Sequence, residues 1–117
     1  MSRITCCYYL TASGRSPVRD LIDSLAPRAQ RKFFFVMELL EEFGSRLPRP
    51  HSKYLGKDIF ELRFGGEEGA VRVLYFFFQG DTAVFTNGFI KKTGKTPLKE
   101  LNTAIERRKD FFSRNKG

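Results

Sequence analysis

The stretch IFELRFGGEEGAVRVLYFFF, residues 59–78, decides how this chain folds. Side chains of a β-strand alternate between two faces. In FELRF, alternation puts Phe60, Leu62 and Phe64 on one face and Glu61 and Arg63 on the other. In VRVLYFFF, Val71, Val73, Tyr75 and Phe77 share a face, while Arg72, Leu74, Phe76 and Phe78 take the opposite one. The GGEEG between them is turn-like, so 59–64 and 70–78 are expected to form a hairpin that sets Arg72 beside Glu61 and Arg63. The face of Arg72 also carries Leu74, Phe76 and Phe78, so it is expected to be partly covered by another element. Gln79-Gly80-Asp81 is a second turn, after which 82–90 continues the antiparallel meander.

Upstream, 3–11 (RITCCYYLT) is rich in β-branched and aromatic residues and reads as a first strand. Ser16-Pro17 has the form of a helix N-cap followed by proline at the first helical position. Val18, Leu21, Ile22 and Leu25 follow at helical spacing. Pro27 ends that helix and opens another, in which Ala29, Phe33, Val36, Met37, Leu40 and Phe43 keep the period until Gly44. Phe34 and Phe35 widen its apolar stripe, which predicts contact with more than one neighbour. Residues 45–52 read as loop, since Pro48 and Pro50 cannot join a central strand.

Downstream, Thr96-Pro97 repeats the cap-then-proline signature, and Leu98, Leu101, Ala104, Ile105, Phe111 and Phe112 form the stripe of a terminal helix. The order β-α-α-β-β-β-α predicts one α+β domain over residues 1–117, a small mainly antiparallel β-sheet with two N-terminal helices and a C-terminal helix.

Composition agrees with one globular domain. Of 117 residues, 41% are hydrophobic and 15% aromatic, which excludes an intrinsically disordered chain. Cys6 and Cys7 are adjacent and have no third cysteine to pair with, so no disulfide framework exists. His51 is the one histidine, too few for a zinc site beside those cysteines, and no metal or cofactor is expected. There is no 18-residue apolar run, and the start lacks the apolar core of a signal peptide. A cytoplasmic protein that engages no membrane is expected.

The net charge is +8, and it is unevenly spread. Residues 1–90 carry 12 basic and 10 acidic groups, a net of +2, whereas 91–117 carry 9 basic and 3 acidic, a net of +6. A basic surface localised in this way points to a polyanionic partner.

Three places could carry chemistry. On the Glu61–Arg63–Arg72 face, one reading is a cross-strand ion pair on a solvated sheet. The other is an anion site in which two guanidiniums grip a phosphate. The second place is FIKKTGKTP, residues 89–97, where lysines and threonines surround a glycine just before a helix N-terminus. It is either a solvated basic turn or an anion cradle. Its GKT is not a P-loop, because the upstream glycine is missing and Phe89 stands in its place. The third is His51, an exposed loop histidine or a general acid–base. Any enzyme chemistry must then run largely on Lys and Arg, a set suited to phosphodiester cleavage through an anionic transition state.

The pieces KYLGKDIFELRF (53–64), VRVLYF (71–76) and FIKKTGKTP (89–97), with TASGRSPVRDLIDSL and LNTAIERRKDF, resemble the phage-derived HigB-like branch of the RelE/ParE toxin superfamily. The resemblance runs in order along nearly the whole chain. It implies a RelE-like fold and the toxin of a type II toxin–antitoxin pair, a ribosome-dependent endoribonuclease that cleaves mRNA in the A site and stops translation. The implied chemistry is metal-independent attack of a ribose 2′-OH on the adjacent phosphate. Implied partners are a helix-turn-helix, HigA-like antitoxin, the 70S ribosome and mRNA.

Residue by residue, Arg72 matches the family's scissile-phosphate arginine, and Arg63 a basic position facing the same groove. Lys91 and Lys92 fall where relatives place basic or histidine side chains, so Arg63, Arg72, Lys91 and Lys92 are the catalytic candidates. Lys53, Lys57, Lys95, Arg107 and Arg108 are the candidates for holding RNA backbone. Glu61 departs from the family pattern, standing where well-studied RelE-type enzymes carry lysine. The general base stays open among Lys92, His51 and Glu61. Alternatives are a ParE-like gyrase-poisoning toxin and a non-catalytic basic RNA- or ribosome-binding module.

Overall fold

The computed structural model describes residues 3–67, 69–92 and 94–115. Glu68 and Thr93, within the two turns named above, and Lys116 of the basic tail lie outside the described residues. The elements are β1 (Thr5–Tyr8), α1 (Pro17–Ser24), α2 (Pro27–Phe43), β2 (Ser52–Gly56), β3 (Ile59–Gly66), β4 (Gly69–Phe78), β5 (Thr82–Lys91) and α3 (Leu98–Arg114), with a single 3₁₀ turn at Gly44–Arg46. This is the predicted α+β architecture, with one strand more than the sequence suggests.

That extra strand is β2. Its SKYLG has neither a β-branched run nor clean alternation, so local pattern does not mark it. Pairing with β3, Lys53 opposite Glu61 and Tyr54 opposite Phe60, makes it a strand at the sheet edge. The sheet runs β1-β5-β4-β3-β2, parallel between β1 and β5 and antiparallel elsewhere.

Helix ends follow the sequence signals with one exception. The Ser16 hydroxyl accepts the Arg19 N–H at 3.1 Å, and Pro17 occupies the first turn of α1. Gly44 closes α2 at φ +57, where a Cβ would stand 3.1 Å from Ile4. The exception is α3. Its N-cap is Pro97 with no side-chain bond, and the hydroxyl of Thr96, the expected cap, donates instead to the Glu61 carboxylate. A buried charged acceptor holds a hydroxyl more strongly than a helix-end amide does.

Both sheet faces are covered. Val18 and Ile22 of α1 and Phe33, Val36 and Leu40 of α2 pack on Leu62, Phe64, Val73, Tyr75 and Phe85. On the opposite face, Leu101, Ala104, Ile105 and Phe111 of α3 pack on Ile59, Leu74, Phe76 and Val84. The terminal helix thus covers the face that carries Arg72, as the apolar companions of that arginine predict. No helix among the described residues is long and apolar enough to cross a membrane.

One irregularity matters for the site. Leu74 pairs with Asn87, but Tyr75 pairs with Phe85, so Thr86 is an extra residue bulging from β5. A bulge shifts the side-chain alternation by one. Phe85 faces α1 and α2, yet Asn87, Phe89 and Lys91 face the α3 side, opposite Leu74, Arg72 and Ala70. The bulge is tied down by its own contacts. The Thr86 hydroxyl donates to the Leu74 carbonyl at 3.2 Å, and Asn87 Nδ2 donates to Glu100 Oε1 at 3.0 Å.

Candidate anion site between β3, β4 and the turn before α3

Register brings the candidates together. Arg63 is the direct partner of Arg72 across the β3–β4 ladder, and Arg72 faces Phe89 on β5. On the outer side, the Arg63 N–H donates to the His51 carbonyl at 2.8 Å, just ahead of β2. One step along the strands, Glu61 lies between Lys53 and Leu74.

Glu61 is the hub. Its side chain is fully buried, while the side chains of Arg63 and Arg72 are 21% and 14% exposed. Arg63 Nε donates to Glu61 Oε1 at 3.0 Å, and Arg72 Nε stands 3.7 Å from the same oxygen. The Thr96 hydroxyl donates to Oε2. Arg72 Nη1 donates to the Val71 carbonyl at 3.0 Å, while its buried Nε has no hydrogen-bond partner among the described residues. A carboxylate removed from water needs such donors, because desolvation is offset only when its lone pairs are bonded.

Charge in this setting shifts two titrations. Burial lowers the Arg72 pKa, opposed by Glu61 and reinforced by Arg63, though an arginine starts high enough to stay charged. Lys91 is likewise held below the usual lysine range, first by burial and then by the positive charge of Arg72. Glu61 opposes that shift, and Arg63 and Lys53 add to it. Proximity of several cations favours a neutral amine on Lys91.

Two concavities meet at Arg63. One, of about 270 Å³, is lined by Lys53, Arg63, Lys91, Lys95 and Thr96 among others. The other, of about 400 Å³ and wide open, is lined by His51, Arg63, Gly65, Ala70 and Arg72 among others. The His51 ring also lies edge-on to Phe35 at 6.5 Å.

Of the predicted residues, Lys53, Arg63, Lys91 and Lys95 therefore line the first concavity, and His51, Arg63 and Arg72 the second. Lys92 follows β5 directly and is exposed, and Lys57 is exposed in the β2–β3 turn. Arg107 and Arg108 seat α3 on the sheet. Arg107 Nη1 donates to the Thr86 carbonyl at 2.8 Å with its guanidinium 5.6 Å from the Tyr9 ring. Arg108 lies 3.4 Å from Asp58 and 4.7 Å from the Phe112 ring. Sequence reasoning passed over Thr96, whose helix-cap signature hid its use. The available signal was a carboxylate, Glu61, expected on a covered face with only arginines to bond it.

Fold and site together define a small α+β domain in which a buried carboxylate organises two cross-strand arginines beside a lysine-rich turn, a set of donors and positive charges of the kind that bonds anions. Residues 20–109 match the family described as Phage derived protein Gp49-like (DUF891), and the chain belongs to that family. The match runs from α1 into α3 and contains the whole site. No curated protein matches the chain.

Proposed function

We propose that this protein is the toxin of a type II toxin–antitoxin pair and acts in the cytoplasm as a ribosome-dependent endoribonuclease on mRNA. The observation that carries the reading is the Arg63–Arg72 pair held across β3 and β4 by Glu61, with Lys91 alongside at a lowered pKa. Two guanidiniums presented to one groove suit the non-bridging oxygens of a phosphodiester, whose charge grows in the transition state. Lys91, at the end of β5 beside the two arginines, is placed to take the proton of a ribose 2′-OH. The 2′-oxygen attacks phosphorus and the P–O5′ bond breaks. The departing 5′-oxygen takes its proton from solvent, leaving a 2′,3′-cyclic phosphate and a 5′-OH. Lys53 and Lys95 hold the flanking backbone. A small acidic-faced antitoxin, of the helix-turn-helix HigA-like kind, is the partner that silences such a surface.

The test is a cell-free translation reaction with purified protein, mRNA 5′ ends being mapped by primer extension beside a ribosome-free control. Cuts that need translating ribosomes and vanish in Arg72→Ala support the reading. Intact mRNA with normal protein synthesis overturns it and directs attention to DNA gyrase, which a supercoiling assay checks. Intact mRNA with blocked translation leaves a ribosome-binding module without cutting activity.

A further inference from the structure

The two oxygens of Glu61 are used differently. Oε1 takes the Arg63 Nε–H at 3.0 Å and faces the Arg72 Nε at 3.7 Å, whereas Oε2 takes the Thr96 hydroxyl. Three segments, β3, β4 and the turn before α3, therefore meet at one carboxylate. A guanidinium held through Nε points its terminal Nη edge away from the holding group. Among the described residues no acceptor is bonded to the Nη atoms of Arg63, which lines both concavities.

Thr96 lines the first concavity with Arg63 and Lys91, and α3 begins without a side-chain cap although Thr96 stands next to the cap position. Its hydroxyl is committed to Glu61. Glu61 is fully buried, so loss of that donor leaves its Oε2 short of a hydrogen bond. The nearest alternative is the unpartnered Nε of Arg72, so losing the hydroxyl turns the carboxylate toward Arg72 and alters the hold on both arginines.

We propose that Thr96 is a positioning residue, which sets through Glu61 the orientation of Arg63 and Arg72 and registers the turn carrying Lys95, just after Lys91 at the end of β5, to that pair. The identity of the bound anion rests on the nuclease reading above; the positioning role does not.

The test uses full-length ¹⁵N-labelled protein, with the arginine Nε–H signals recorded by NMR. Binding of a short 2′-O-methyl RNA, which cannot undergo 2′-oxygen attack, is measured alongside. Thr96→Val is expected to keep a dispersed amide spectrum, to move the Nε–H signals of Arg63 and Arg72, and to weaken RNA binding by about 3- to 10-fold, the size of one lost hydrogen bond. Thr96→Ser, which keeps the hydroxyl, is expected to restore both. Thr96→Ala is read in the same way if the valine methyl does not fit.

Arginine signals in Thr96→Val that superimpose on the wild type overturn the inference, whether or not the protein cuts mRNA. Signals that move in a protein whose wild type binds no RNA support the positioning role and sink the nuclease reading instead.

Discussion

Arg63 and Arg72 are direct partners across the β3–β4 ladder, two positive side chains where opposite charges or apolar groups are the usual choice. Like charges so placed repel. The buried Glu61 carboxylate, 3.0 Å from one Nε and 3.7 Å from the other, turns the repulsion into a three-body ion pair. One negative charge for two positive ones leaves a net cationic cluster.

Arg72→Ala is expected to lower mRNA cutting in a translation reaction by about 10²- to 10³-fold, the range for losing one preorganised charge-stabilising donor. Arg63 and Thr96 still bond Glu61, so the variant is expected to fold. Arg72→Lys is expected not to restore cutting, because an ammonium lacks the planar fork. Full activity in the lysine variant would show that charge alone suffices.

Glu61→Ala is expected to lower unfolding free energy by about 1–3 kcal/mol, the penalty for leaving buried polar partners unbonded. The low end applies if the partly exposed arginines turn to water. Phosphate is expected to raise the urea midpoint of this variant more than that of the wild type, since it can take the place of the carboxylate between two guanidiniums. No phosphate effect on either protein would show that the arginines do not form a common anion site.

Lys91 makes stability depend on alkaline pH. Burial, then the charge of Arg72, holds its folded pKa below the ordinary 10.5. Between that lowered value and 10.5 the unfolded chain binds more protons than the folded one, so this group's contribution makes stability rise with pH across the window. Below the window both states are protonated, and the folded state bears the full penalty of an ammonium among guanidiniums. Lys91→Met is therefore expected to be more stable than wild type at neutral pH, with the difference shrinking as pH climbs through the window. Urea midpoints of both proteins measured against pH check the sign. A difference that grows with pH would contradict it.

Gly88→Ala is expected to destabilise the fold by about 1–3 kcal/mol, as overpacked cores do. A Cβ there would stand 2.6 Å from the Leu21 side chain and 3.1 Å from the Arg72 carbonyl. The Leu21 side chain of α1 can turn aside, but the Arg72 backbone cannot do so without disturbing the ladder. Chemical denaturation gives the magnitude, and a loss of RNA binding beyond the loss of folded protein would report displaced Arg72. A midpoint equal to wild type would mean that α1 yields freely.

Most of the groove is legible in residues 59–78. Strict alternation in FELRF and VRVLYFFF placed Glu61, Arg63 and Arg72 on one face, and the structure brings them together there. The same pattern in β5 misleads. Alternation counted from Phe85 sends Lys91 to the α1–α2 side, whereas the bulge at Thr86 returns it to the arginines. Nothing local in TAVFTNGFIK marks the bulge, because it is held by the Leu74 carbonyl and by Glu100 and Arg107 of α3, residues distant in the chain.

By itself the sequence determined the three helices and four of the five strands, the shared face of Glu61, Arg63 and Arg72 on β3 and β4, and that the surplus charge lies near the C-terminus. Those properties follow from side-chain periodicity, proline and glycine, which act over a few residues. Tertiary structure alone decided that SKYLG is a strand, that Thr96 bonds a carboxylate instead of capping α3, and that Lys91 joins Arg63 and Arg72. Thr96 and Lys91 depend on Glu61 and Arg72, far back in the chain, and SKYLG depends on pairing with β3. A buried carboxylate, an edge strand and a bulge are settled by what they meet when the chain closes, and no local signal carries that.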